Sequence, residues 1–83
     1  MPYINREARP NCDEIVDLML KNGIKVNGDL NYILFKFCKK SVKPSYNNYK
    51  NFVGELDCCN REIYRKLVAP YEDDKEAENG EVE

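Results

Sequence analysis

The sequence contains no histidine, which removes the side chain most often used as a general base and as a nitrogen ligand for metals. No Cys-x-x-Cys pair occurs either. A structural zinc site would need all four cysteines, Cys12, Cys38, Cys58 and Cys59, drawn from three helices, whereas closed sites mostly use paired short spacings. No metal and no cofactor are therefore expected. A GxSxG turn, a phosphate-cradling glycine loop and a carboxylate pair backed by a pocket-forming fold are also missing, so the chain reads as a non-enzyme. Cys58 comes nearest to a nucleophile, with Arg61 and Arg65 close in sequence, but it lacks a base. No run of 18 apolar residues exists, so no membrane span is expected. The opening MPYINREARPNC has no apolar stretch of the kind a secretory leader needs, which points to the cytosol, where a disulfide framework is not expected. Cys12, Cys38 and Cys59 fall at apolar helical positions and read as small hydrophobes.

What is present is a short chain with an uneven charge distribution. At 83 residues, a domain buries only about 60% of its unfolded surface, so a lone core is marginal and a homo-oligomer, with a dimer favoured, is expected. The net charge of −2 conceals a basic body and an acidic end. Residues 72–83 carry seven carboxylates against Lys75, a net −6, which leaves +4 on residues 1–71.

Periodicity predicts an all-α fold of three helices. Residues 1–10 hold two prolines and no repeat, and read as an N-terminal arm that is either clipped to the body by Tyr3 and Ile4 or frayed. Cys12, Ile15, Val16, Met19 and Leu20 recur as one helical face over about 12–22, with Asn11 as cap, Asp13 and Glu14 in the first turn, and Asn22-Gly23 as the stop. A second helix over about 28–42 is capped by Asn27, has Asp29 in its first turn, and aligns Leu30, Ile33, Leu34, Phe37, Cys38 and Ser41. Lys36, Lys39, Lys40 and Lys43 form a separate stripe, roughly 120° around from the centre of that face.

The longest element is bracketed by Pro44 and Pro70. Ser45 is its expected cap, and Tyr49, Val53, Leu56, Asn60, Ile63 and Leu67 recur at steps of four and three, with Phe52, Cys59 and Tyr64 on the flanks. Pro70 predicts an end near Ala69. A helix over 45–69 would span roughly 36 Å, and its seam offers more apolar length than two short helices cover. Gly54 inside it predicts the close approach of another helix, such as the second, to offset the cost of a helical glycine. The expected organisation is an arm (1–10), a helical domain (11–75) and a flexible acidic tail (76–83).

Several segments together carry a family resemblance. They are MPYI at the start, Gly28-Asp29-Leu30-Asn31-Tyr32, Gly54-Glu55-Leu56-Asp57-Cys58, Glu62-Ile63-Tyr64-Arg65-Lys66, Pro70-Tyr71-Glu72-Asp73-Asp74-Lys75 and Asn79-Gly80-Glu81-Val82. The chain resembles a family of small uncharacterised prokaryotic and phage proteins whose pattern runs MPYI, GxLNY, GxLEC, ExYRR, PYEDxK and NGDV. Lys66 and Glu81 are mild departures. The resemblance carries no function across, but it implies that Tyr71 docks on the body and that disorder starts only after about Lys75.

Asn31, Tyr32, Glu62, Tyr64, Arg65 and Tyr71 are the candidate partner-binding residues. In the structural reading, Glu62 with Arg65 and Asp57 with Arg61 are ordinary surface ion pairs worth a few tenths of a kcal/mol. In the functional reading, Asn31, Tyr64 and Arg65 converge at the junction of helices two and three and take a protein partner or an anion, helped by the helix start at Asn31. Tyr64 is expected to be partly buried with its hydroxyl bonded, and Arg65 to be mostly exposed. Asn60 on the seam either fixes register or reaches solvent at its edge. The lysine stripe reads first as a solvated face; the alternative function is a nucleic-acid accessory role for Lys36, Lys39, Lys40 and Lys43, with the acidic tail competing for the same stripe.

Overall fold

A computed structural model describes residues 2–83. The described residues are all-α, without a strand, in three helices. The first, α1 (Arg9–Lys21), follows a 3₁₀ turn at Arg6–Ala8. It begins earlier than Asn11. Ala8 is its N-cap, with no side-chain cap bond, and Pro10 lies in the first turn, where its missing N–H would have had no helical partner. Asn11 is thus not the cap, and Asp13 and Glu14 move out of the first turn. The arm is also shorter than expected, because residues 6–10 are helical and the Arg9 Nε donates to the Ile4 carbonyl at 3.0 Å.

The end of α1 matches its sequence. Gly23 takes a left-handed φ of 66°. Its N–H donates to the Leu20 carbonyl and that of Ile24 to the Met19 carbonyl, both at 3.1 Å, closing a Schellman turn. Met19 and Ile24, at the positions this motif brings together, are both half-buried. The second helix, α2 (Gly28–Ser41), is capped as expected: the Asp29 N–H donates to the Asn27 side chain at 3.2 Å. The Asp29 carboxylate in turn accepts from the Lys25 N–H at 3.2 Å. Val42 then turns extended, with ψ of 122°, which leaves Lys43 beyond the helix and off the stripe of Lys36, Lys39 and Lys40.

Ser45 caps the third helix, its Oγ accepting from the Asn48 N–H at 3.0 Å. This helix does not stop before Pro70. Three consecutive pieces, α3 (Tyr46–Ile63), a π-helical stretch (Tyr64–Val68) and α4 (Ala69–Asn79), make one helix of 34 residues. The physical reason lies in the π stretch. A proline inside an α-helix has no N–H to give and its ring collides with the carbonyl four residues back. Here the Ala69 N–H reaches back five residues to the Tyr64 carbonyl, and the wider turn makes room for the Pro70 ring. Tyr71 consequently lies on an exposed helical surface, and Glu76 and Glu78 of the acidic end are helical too.

The chain divides into two compact units, Tyr3–Phe52 and Val53–Glu83 with Pro2. The boundary falls inside α3, where the sequence reading draws a single domain. In the first unit the half-buried residues are Met19, Ile24, Leu30, Ile33, Leu34, Cys38, Val42 and Phe52. Phe37 and Phe52 meet with ring centroids 6.1 Å apart and tilted by 55°, a favourable aromatic geometry. The second unit is essentially one helix, with Glu62, Ala69 and Lys75 its half-buried residues. No described residue in either unit is fully buried.

Gly54 has no close neighbour. A Cβ built there meets nothing within 4 Å, so the expected approach of a second helix is absent and the glycine only loosens α3. Gly54→Ala should therefore raise stability by about 1 kcal/mol, read as an upward shift in thermal unfolding followed by circular dichroism. A downward shift would mean that another molecule packs against this position.

Candidate interaction surfaces

In the first unit the most distinctive surface lies on α2. Tyr32, Phe35, Lys36, Lys39 and Lys40 line an open depression of about 480 Å³. The residues follow helical spacing, so two exposed rings and three ammonium groups share one side. The Lys36 Nζ donates to the Tyr32 hydroxyl at 3.3 Å and stands 5.5 Å from its ring centroid, a cation–π arrangement. Phe35 is the member that the sequence reading passed over, because it lies outside the apolar face. Its signal was the spacing of Tyr32, Phe35, Lys36 and Lys39 at i, i+3, i+4 and i+7. Lys43 is not part of this surface; its carbonyl accepts from the Asn48 side-chain amide at 2.9 Å.

The six candidate partner-binding residues divide between the units. Asn31 and Tyr32 stand in the first turns of α2, while Glu62, Tyr64, Arg65 and Tyr71 belong to the long helix of the second unit. Glu62 and Arg65 are brought together. The guanidinium donates through Nε at 2.9 Å and Nη2 at 2.8 Å to one carboxylate oxygen of Glu62. With Pro2, Cys58 and Arg61 they line a shallow depression of about 230 Å³. The Glu62 side chain is only 20% exposed and that of Arg65 is 66% exposed, so one face of the guanidinium is fixed and the other meets solvent. Arg61 is held by Asp57 at 3.1 Å. Both arginines beside Cys58 are thus engaged by carboxylates. Tyr64 departs from expectation: it is 60% exposed. Tyr71 is likewise exposed, with the Lys75 Nζ 5.8 Å from its ring centroid.

The third surface is the apolar stripe of the long helix. Val53, Leu56, Asn60 and Ile63 keep helical spacing and are all exposed. After Ile63 the stripe shifts by one residue. A π turn inserts an extra residue, so Val68 replaces Leu67 as its next member; Leu67 is 66% exposed and Val68 36%. On α1, Ile15, Val16 and Leu20 are exposed as well, Leu20 at 74%. Cys12 and Cys59 are exposed free thiols, and Cys38 is half-buried, so the first two are not interior positions of this chain.

Among the described residues no group of three or more Cys, Asp or Glu is placed to hold a metal ion, and no helix is long and apolar enough to cross a membrane. The fold and its surfaces define a small all-α protein of exposed amphipathic helices. The chain belongs to the family described as a domain of unknown function (DUF6899), whose model matches residues 1–82. No curated protein gives a significant match, and neither does any solved structure.

With its hydroxyl on an exposed ring, Tyr64→Phe should shift stability by less than about 0.5 kcal/mol, as should Arg65→Ala, which releases an i,i+3 ion pair open to solvent on the arginine side. Thermal melts of the two variants check this. A larger loss would assign either side chain to packing.

Proposed function

We propose that this protein is a non-enzymatic helical binding protein of the cytoplasm, in a phage or mobile-element context, that self-associates and acts by engaging a protein partner. One observation supports the reading most: three amphipathic helices leave their apolar stripes and aromatic side chains exposed, with no fully buried described residue. Continuous exposed apolar surface of this extent marks interaction sites. The polar contact on the partner is assigned to the patch around Arg65, where Glu62 holds the guanidinium in place and Tyr64 and Arg65 present an exposed aromatic and a fixed charge. Arginine and tyrosine are the residue types that anchor interfaces most often. The phage or mobile-element context rests on the sequence pattern from MPYI to NGDV.

The test is capture of a stoichiometric protein from the source cell by the tagged full chain, identified by mass spectrometry. Arg65→Ala should abolish capture with the melting temperature unchanged. Capture that survives the substitution would exclude the Arg65 patch, and the absence of any specific protein would defeat the binding reading.

The surface on α2 favours a second reading, an accessory nucleic-acid-binding role. Its lysines supply phosphate contacts, and the exposed rings of Tyr32 and Phe35 could stack on unpaired bases. In that case affinity for a single strand should fall with salt by roughly 0.7 log units of slope per phosphate contact. Removing residues 76–83 should tighten binding. Undetectable binding of the truncated chain at low salt would leave the lysines as a solvated face.

A further inference from the structure

We infer that the apolar stripe of the long helix is covered by a second copy of the chain running antiparallel to the first. The inference rests on the self-associating binding reading above and gives it a geometry.

Charge selects the occupant and its direction. The stripe keeps steps of three, four and three whichever way it is read, so an antiparallel copy sets position against position. Antiparallel pairing sets Val53 against Ile63 of the second copy and Leu56 against its Asn60. The π stretch adds one residue, so Tyr49 meets Val68 rather than Leu67. The two Asn60 side chains fall about 6 Å apart along the helix axis, within reach of a mutual amide hydrogen bond at the dyad. Beyond Tyr71 each helix overhangs the start of the other copy's α3. There the acidic run Glu72, Asp73, Asp74 and Glu76 meets Lys43 and the positive end of the helix dipole. A parallel pair would instead set two −6 segments side by side.

The experiment uses the full chain with its four cysteines replaced by serine, carrying either Val53→Cys or Ile63→Cys. When the two variants are mixed and oxidised, a covalent pair should form, because the positions face each other. Either variant alone should not link, since like positions lie about 15 Å apart along the axis, and a disulfide needs Cα atoms within about 7 Å. Light scattering of the unmodified chain should give twice 9.7 kDa at micromolar concentration, and Leu56→Asp should reduce it to the single-chain mass. Self-linking of Val53→Cys would establish a parallel pair and overturn the proposal, as would a monomer mass for the unmodified chain. A monomer that still captures a stoichiometric protein would end the dimer and leave the binding reading standing.

Discussion

Burial of apolar surface is the largest favourable term open to a chain of this size, and the rest of the structure depends on where that burial is achieved. The first unit partly achieves it. Met19, Ile24, Leu30, Ile33, Leu34 and Phe52 are half-buried, and the Phe37–Phe52 contact ties α2 to the start of α3. Those contacts are too few to remove any described side chain fully from water. In the second unit the stripe from Val53 to Val68 is exposed. For a helix with such a stripe, packing of the apolar face contributes more to stability than propensity does.

The polar contacts act mainly on helix ends and helix faces. Asn27 and Ser45 each satisfy an N–H that would otherwise be orphaned, and the Schellman turn at Gly23 does the same for the end of α1. The ion pairs Asp57–Arg61, Glu62–Arg65 and Lys75–Glu78 all connect residues three or four apart on the same helix. These three pairs support the helical conformation rather than joining one element to another. The Glu62–Arg65 pair differs in one respect. Its carboxylate is largely covered while its guanidinium faces out, which gives Arg65 a preset orientation.

The elements that were legible in the sequence are those whose signal is local. The caps at Asn27 and Ser45, the stop at Gly23 and the three helical repeats all depend on residues within one or two turns. Two misreadings share one cause. Pro70 reads in the sequence as a helix end and Pro10 as part of the arm, yet Pro10 lies in a first turn, where an N–H is not needed, and Pro70 follows a π stretch that accommodates its ring. Whether a proline ends a helix or is absorbed depends on backbone geometry upstream, which no single-residue rule encodes. The partner-binding candidates were legible one residue at a time. Their division between α2 and the long helix was not, since helical periodicity places residues on faces but does not assign helices to units.

The π stretch also bears on how the surface works. By adding one residue between Ile63 and Val68 it rotates everything that follows, so Leu67 leaves the stripe and Val68 enters it. An unbroken α-helix with the same sequence would present Leu67 in line with Ile63. Proline at position 70 and the widened turn before it are therefore best understood together. The proline forbids the standard turn, and the turn that replaces it carries the apolar stripe on from Ile63 to Val68.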